Sequence, residues 1–280
     1  MKKPSPGASE HPEERLNRFL ARAGVASRRE ADRLIQEGHV AVNGTAVREP
    51  GTRIDPATDS IKVDGKRVAR LLPPVYVLLN KPRGMVSSMK DPERRPCVGD
   101  LLRMIPGKPV PAGRLDYDSE GLLLCTNDGE MVNRLLHPRY HVRKVYHVKV
   151  KGIPEAWVLE RLRSGVMIDG RRTQPAQVSF HRRGERNVWL RLVLYEGKKH
   201  QVKRMLETFR IPVLKLTRMG LGPLTLGGLA AGSWRRLRAD EIEKLRKYLA
   251  DLDKERQPFH NATQVKKRRG VEQPGSSSGS

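Results

Sequence analysis

Asp116 is the residue whose setting most invites chemistry. It follows Gly113-Arg114-Leu115 and precedes the apolar run Leu122-Leu123-Leu124-Cys125. An acid on a tight loop therefore stands just ahead of a buried strand. The neighbouring Arg114 favours the ionised carboxylate, and an ionised carboxylate is a competent nucleophile or base. The same pattern suits an Asx residue that caps a turn, so the local residues leave both roles open. Asp118, on the same loop, makes a poor glycosidase partner for Asp116, because one loop cannot hold two acids at the separation that chemistry needs. His137, His141 and His147 lack ligand spacing, and Cys97 and Cys125 sit on dissimilar segments. Neither a metal cage nor a disulfide framework is expected, and two free thiols fit a reducing cytoplasm.

The acid lies in a very basic chain. The 280 residues include 55 Lys+Arg against 31 Asp+Glu, a net charge of +24. That excess points to a polyanionic partner and makes a membrane surface the weaker reading. No apolar run approaches the roughly 20 residues of a spanning helix, and Met1 to His11 lacks the apolar core of a secretory signal.

The elements that must position Asp116 read in two blocks. In the first, Leu16, Phe19, Leu20 and Ala23 recur at helical spacing, with Gly24 as a stop. Ser27 and Glu30 form a capping-box pattern ahead of a helix bearing Ala31, Leu34 and Ile35. Val40 and Val42, the Asn43-Gly44 turn, Val47, Ile54, Ile61, Val63 and Asp64-Gly65 then predict a small sheet. Arg15, Arg18, Arg22, Arg28, Arg29 and Arg33 crowd the two helices, with few acids to pair them, which suits a phosphate backbone. Leu71-Leu72-Pro73-Pro74 reads as a linker. In the second block, strands are expected at Val75 to Leu79, Leu122 to Cys125, Val145 to Val150, Ala176 to His181 and Val188 to Leu194. Tyr146, Val148 and Val150 should share one face. Helices are expected around Val98 to Met104, Glu155 to Arg163, His200 to Phe209 and Asp240 to Leu249. Asn127-Asp128-Gly129 reads as a turn. Residues 1–12 and 254–280 are expected to be disordered, the latter carrying Lys266-Lys267-Arg268-Arg269 and a Gly-Ser end.

The first block, RLNRFLARAGVASRREADRLIQEGHVAVNG with VREPGTRI and IKVDGKRV, resembles the S4-like RNA-binding domain, which implies RNA as the partner. The second resembles the RsuA/RluB-type ribosomal RNA pseudouridine synthases. The resemblance rests on LLNKPRGMVSS (Leu78 to Ser88), GRLDYDSEGLLLCTNDGE (Gly113 to Glu130), RKVYHVKV (Arg143 to Val150) and EGKKHQVKRML (Glu196 to Leu206). Leu216-Thr217-Arg218 and Gly222-Pro223-Leu224, followed by Leu237 and Glu241, continue it. It implies an α+β fold: a small S4-like domain at 13–72 and a catalytic domain at 75–250 with a mixed, mostly antiparallel sheet and flanking helices. It also implies isomerisation of one uridine in rRNA, with no cofactor and no metal. Asp116 is then the nucleophile, Tyr146 stacks on the uracil, and Lys203 pairs with the acid. Lys203 stands where many relatives carry Arg and cannot form the planar two-bond fork. Arg114 would aid flipping or hold phosphate, and Lys81 and Arg83 would touch RNA phosphate. The LTRMGLGPL stretch favours a large-subunit rRNA target, with the small subunit as the alternative and a non-catalytic ribosome-assembly factor as the competing class. A cytoplasmic monomer acting on rRNA or a pre-ribosomal particle is expected.

Overall fold

In the computed structural model, residues 13–68 and 71–254 are described. The expected disorder of 1–12 and 255–280, including the Lys266 to Arg269 cluster, lies outside the described residues. Lys254, expected in the tail, instead ends a helix.

The first block folds around one apolar cluster. Helices α1 (Leu16–Arg22) and α2 (Arg28–Gln36) bury Leu16, Phe19, Leu20, Ala31 and Ile35 against Val40, Ile54 and Ile61. Ser27 Oγ accepts from the Glu30 N–H at 3.3 Å, as the cap pattern predicts. The reciprocal half of the capping box is absent because Arg33 takes the Glu30 carboxylate. Strands β1 (Glu14–Arg15) and β4 (Arg53–Ile54) pair. A sheet of order β3-β2-β5-β6 forms from β2 (Val40–Val42), β3 (Thr45–Val47), β5 (Ile61–Val63) and β6 (Lys66–Arg67). Asn43 and Gly44 turn β2 into β3 with φ of 50° and 86°, a conformation that favours Asn-Gly.

The second block is built on a nine-stranded sheet of order β13-β14-β10-β15-β9-β7-β17, with β8 on β9 and β16 on β15. Its strands are β7 (Tyr76–Lys81), β8 (Val110–Pro111), β9 (Glu120–Thr126) and β10 (Lys144–Lys151). They continue with β13 (Gln177–Arg183), β14 (Asn187–Leu194), β15 (Val213–Leu221), β16 (Leu224–Thr225) and β17 (Trp234–Arg236). A side hairpin pairs β11 (Met167–Ile168) with β12 (Arg171–Arg172). The helices are α3 (Val98–Leu102), α4 (Gly129–Leu136), α5 (Ala156–Ser164), α6 (Gln201–Glu207) and α7 (Ala239–Lys254). No described helix is long and apolar enough to cross a membrane.

Two hydrophobic patterns have two physical causes. Leu122 to Cys125 is apolar at every position because β9 is covered on both faces. Leu122 and Leu124 pack with α4 and α7, and Leu123 and Cys125 with α3. β10 alternates because only one face is covered. Val148 and Val150, with Tyr146 beside them, pack on α5 and α6, while Val145, His147 and Lys149 stay half-exposed. All ladders of this sheet are antiparallel except β9–β15, a parallel junction of two residue pairs, Thr217↔Glu120 and Arg218↔Gly121. Gly121 has φ +110°, and a Cβ there would meet the Arg218 carbonyl oxygen at 2.4 Å. Only glycine lets the two backbones approach this closely.

Several elements differ from the sequence expectation, among them the short strands β8, β11, β12, β16 and β17, which were not expected. Asn127-Asp128-Gly129 is the start of α4 rather than a simple turn, with Asp128 capping the N–H groups of Glu130 and Met131. β15 was not expected as a strand, because it carries its apolar residues irregularly.

Candidate active site

The loop from Ala112 to Ser119 joins β8 to β9, and its backbone is held from beneath by the Leu78 to Ser88 segment. Ser87 Oγ donates to Leu115 O at 2.8 Å and accepts from Leu115 N at 3.0 Å. Gly84 N donates to Tyr117 O at 2.7 Å. Lys81, at the end of β7, is fully buried and donates to the carbonyls of Ser119 (2.7 Å), Pro82 (3.0 Å) and Asp116 (3.1 Å). Burial pushes its pKa down to about 8, against the pull of Asp116, Asp118 and Glu120. Two sequence motifs separated by about thirty residues thus form one object, a loop and the clamp that fixes it. Lys81 is therefore not an RNA-phosphate contact as expected. It has no solvent face and its donors are occupied.

Asp116 projects from this pinned loop with its side chain 29% exposed. His200 Nε2 lies 3.4 Å from Oδ1 and Lys203 Nζ 3.9 Å from Oδ2. Lys203 comes from α6, and its hydrogen bond goes to Asp118 instead. The expected Lys203–Asp116 pair is thus a longer contact that shares its cation. A compact ammonium can serve two carboxylates in this way. Burial acts to raise the Asp118 pKa, but the bond and charge of Lys203, aided by Arg83, hold it below the usual value. Arg114 is exposed and forms no ion pair with Asp116 among the described residues; the basic groups beside the carboxylate are the His200 imidazole and the Lys203 ammonium.

Beside Asp116 opens a cleft of about 580 Å³ that Arg114, Tyr146, Lys144 and Arg218 also line. That volume falls within the usual range for small-molecule sites, about 300–1,000 Å³, and leaves room for one nucleoside. Tyr146 stands half-buried on β10, opposite Arg218 on β15. Lys144 donates to Val142 O at 2.8 Å, and burial pushes its pKa down to about 8. Arg83 is exposed and lies near Asp118. The structure brings Asp116, Tyr146, Lys203, Arg114 and Arg83 into one neighbourhood.

The first-block arginines lie elsewhere. Arg15, Arg18, Arg22 and Arg28 line a separate cleft with Lys90 and Lys108. They are also better paired than expected. Buried Glu14 lies 3.1 Å from Arg22 and 3.7 Å from Arg18, and Arg33 sits between Glu30 and Glu37. Arg15, Arg28 and Arg29 are exposed and have no acid partner among the described residues. The described residues hold no cluster of three or more metal-ligating side chains, and Cys97 and Cys125 are buried free thiols.

Residues 75–208 match the family model for RNA pseudouridylate synthase, and residues 14–61 match that of the S4 domain. The "Ribosomal large subunit pseudouridine synthase B" of Bacillus subtilis is 44% identical over 86% of this chain and 98% of its own length. The chain belongs to the RNA pseudouridine synthase family. An "Uncharacterized RNA pseudouridine synthase" of Aquifex aeolicus is 42% identical over 83% of this chain and 94% of its own. A solved pseudouridylate synthase superposes with a TM-score of 0.59 at 32% identity, over 82% of this chain and 99% of that one. The S4 domain and the synthase domain both make RNA the partner. Sequence reading missed His200, Lys144 and the buried state of Lys81, and it passed over Asp118 once the glycosidase pair was set aside. The left-handed His200 (φ 53°) at the start of α6 carried no signal beyond its place in the HQVKRM motif.

Proposed function

We propose that this synthase converts one uridine of large-subunit ribosomal RNA to pseudouridine, with Asp116 as nucleophile. One observation carries the reading. The Asp116 carboxylate stands partly exposed at a nucleoside-sized cleft, on a loop pinned by its own backbone, with His200 and Lys203 beside it. A base inside a helix is out of reach, so the target uridine is flipped into the cleft. An Asp116 oxygen bonds transiently to the sugar C1′ or to the uracil ring, and the C1′–N1 bond breaks. The uracil turns and C1′ joins C5. The C5 proton leaves, N1 gains one, and the carboxylate is released. The isomerisation balances in atoms and electrons and needs no cofactor.

Each neighbour has a role that follows from its placement. Tyr146 offers an aromatic face for the uracil to stack on. Lys203 orients the Asp116 carboxylate, sharing its charge with Asp118. Exposed Arg114 and Arg83 take phosphates, and exposed Arg15, Arg28 and Arg29 take the backbone of a flanking helix by shape. The name of the Bacillus subtilis relative, and that of a Pseudomonas aeruginosa protein 38% identical over 83% of this chain, support the large-subunit target. We place the enzyme in the cytoplasm as a monomer, acting on rRNA or a precursor particle. The test is to map pseudouridines in rRNA from cells with and without the protein. The reading requires loss of a large-subunit site. Loss confined to small-subunit rRNA would move the target, and an unchanged map would remove the reading.

A further inference from the structure

Arg218 is an arginine that the fold buries without satisfying. It is 4% exposed, and its side chain makes one hydrogen bond, from Nε to Leu122 O at 2.7 Å. Its Nη2 is buried with no partner among the described residues, and no described carboxylate lies within ion-pairing distance. A guanidinium has five donors and cannot neutralise itself by losing a proton, so a buried one with a single bond is strongly unfavourable. Such an arrangement persists where something outside the protein completes it. The residue lines the Asp116 cleft.

Its position determines what completes it. Arg218 on β15 is the cross-strand partner of Tyr146 on β10, and such pairs place their Cβ atoms roughly 4.5–5.5 Å apart on one face. A uracil stacked on Tyr146 therefore presents an edge to the guanidinium. That edge carries O2 and O4 as acceptors with N3–H between them, and an arginine, all donor, can engage only the oxygens. Phosphates stay on the solvent side, where exposed Arg114, Arg83 and His200 stand. Arg218 lies deeper than any of these.

We propose that Arg218 is a further catalytic residue, whose guanidinium donates to a carbonyl oxygen of the flipped uracil and stabilises the negative charge that the base acquires. The inference rests on the pseudouridine-forming reading of the cleft. When C1′–N1 breaks, its electron pair stays with the uracil and spreads over N1, O2 and O4. Ring addition likewise places charge on a carbonyl oxygen. Arg218 forms no covalent bond and transfers no proton in either route. It supplies a fixed positive charge that is itself buried, and one such preorganised donor changes the rate by roughly 10²–10³-fold.

The experiment uses the full chain and a synthetic RNA stem-loop around the uridine that the wild-type enzyme converts. In parallel substrates, the target carries 2-thio or 4-thio substitution, each replacing one carbonyl oxygen with a weaker acceptor. Arg218→Gln should lower kcat by about 10²-fold or more with KM changed less than threefold, and Arg218→Lys should recover part of the loss. One thio substitution should slow the wild type, and that slowing should vanish in Arg218→Gln. Normal kcat in Arg218→Gln, or a thio effect that persists undiminished in it, would overturn the proposal. If Arg218→Gln does not fold, the wild type alone decides: indifference to both thio substitutions overturns the proposal, and selective slowing by one supports it. A wild type that converts no uridine in any rRNA defeats the underlying reading instead, which separates the two failures.

Discussion

Replacing Lys81 with Met tests whether a buried cation holds the Asp116 loop. The side chain donates to three backbone carbonyls, two of them at the ends of the Asp116–Ser119 turn. Hydrogen bonds from a charged donor contribute about 1.5–3 kcal/mol each, so the three together stabilise by about 5–9 kcal/mol. Against this stands the cost of burying the charge. Its pKa falls from 10.5 to about 8, and at about 1.4 kcal/mol per pKa unit that cost is on the order of 3 kcal/mol. Lys81→Met should therefore lose roughly 2–6 kcal/mol near pH 7, the difference between these terms. The pH dependence follows from the same shift. Between pH 8 and 10.5 the unfolded state binds more protons at this lysine than the folded state, so wild-type stability rises with pH there. The Met variant lacks that gain, and the gap between the two proteins should widen by up to about 3 kcal/mol across that window. Urea unfolding of both proteins at pH 7.5, 8.5 and 9.5 measures it, and a pseudouridine assay on the same samples should show kcat reduced with RNA affinity retained. A variant as stable as the wild type at pH 7.5, with a gap that does not change with pH, would refute the buried clamp.

Three further predictions follow from the geometry. Gly121→Ala puts a Cβ 2.4 Å from Arg218 O at φ +110°, and a combined strain of roughly 2–5 kcal/mol should lower Tm by about 5–15 °C; an unchanged Tm would contradict the tight β9–β15 junction. Asp118→Asn should leave pseudouridine formation within a few-fold of wild type, because Lys203 then turns wholly to Asp116, whereas Lys203→Met should lower kcat about tenfold or more; equal losses in both variants would assign Asp118 a role in the chemistry. RNA affinity should fall steeply with salt, and Arg28→Ala with Arg29→Ala should flatten the log–log slope by up to about 1.5; an unaltered slope would free those arginines from phosphate contact.

Much of the fold was legible because burial leaves a periodic trace. The β10 alternation and the α1 and α2 spacing each record one covered face, and Leu122 to Cys125 records two. β15 left no such trace. It lies centrally between β10 and β9, but Lys215, Thr217 and Arg218 break its apolar pattern, and each has a local reason. Lys215 and Thr217 bond to Glu120, and Arg218 enters the cleft. The start of α4 was obscured because Asn-Asp-Gly is both a turn signal and a good helix cap. At the site, motif order marked Asp116, Tyr146 and Lys203, which the fold brings together from three separate elements. It failed for Lys81, since a lysine in a Pro-Gly loop reads as solvated and only the fold shows three carbonyls around it. The count of arginines in the first block likewise missed Glu14, whose burial lets one acid serve both Arg18 and Arg22.

In the proposed mechanism the Asp116 carboxylate is the bond-forming group. Asp116→Asn keeps the side chain's size and removes its nucleophilic oxygen, so purified variant and wild type should be compared on the same rRNA for pseudouridine formed and for RNA affinity. That mechanism requires no pseudouridine from the variant at an affinity within about threefold of wild type. Turnover by Asp116→Asn at a rate near that of the wild type would contradict it.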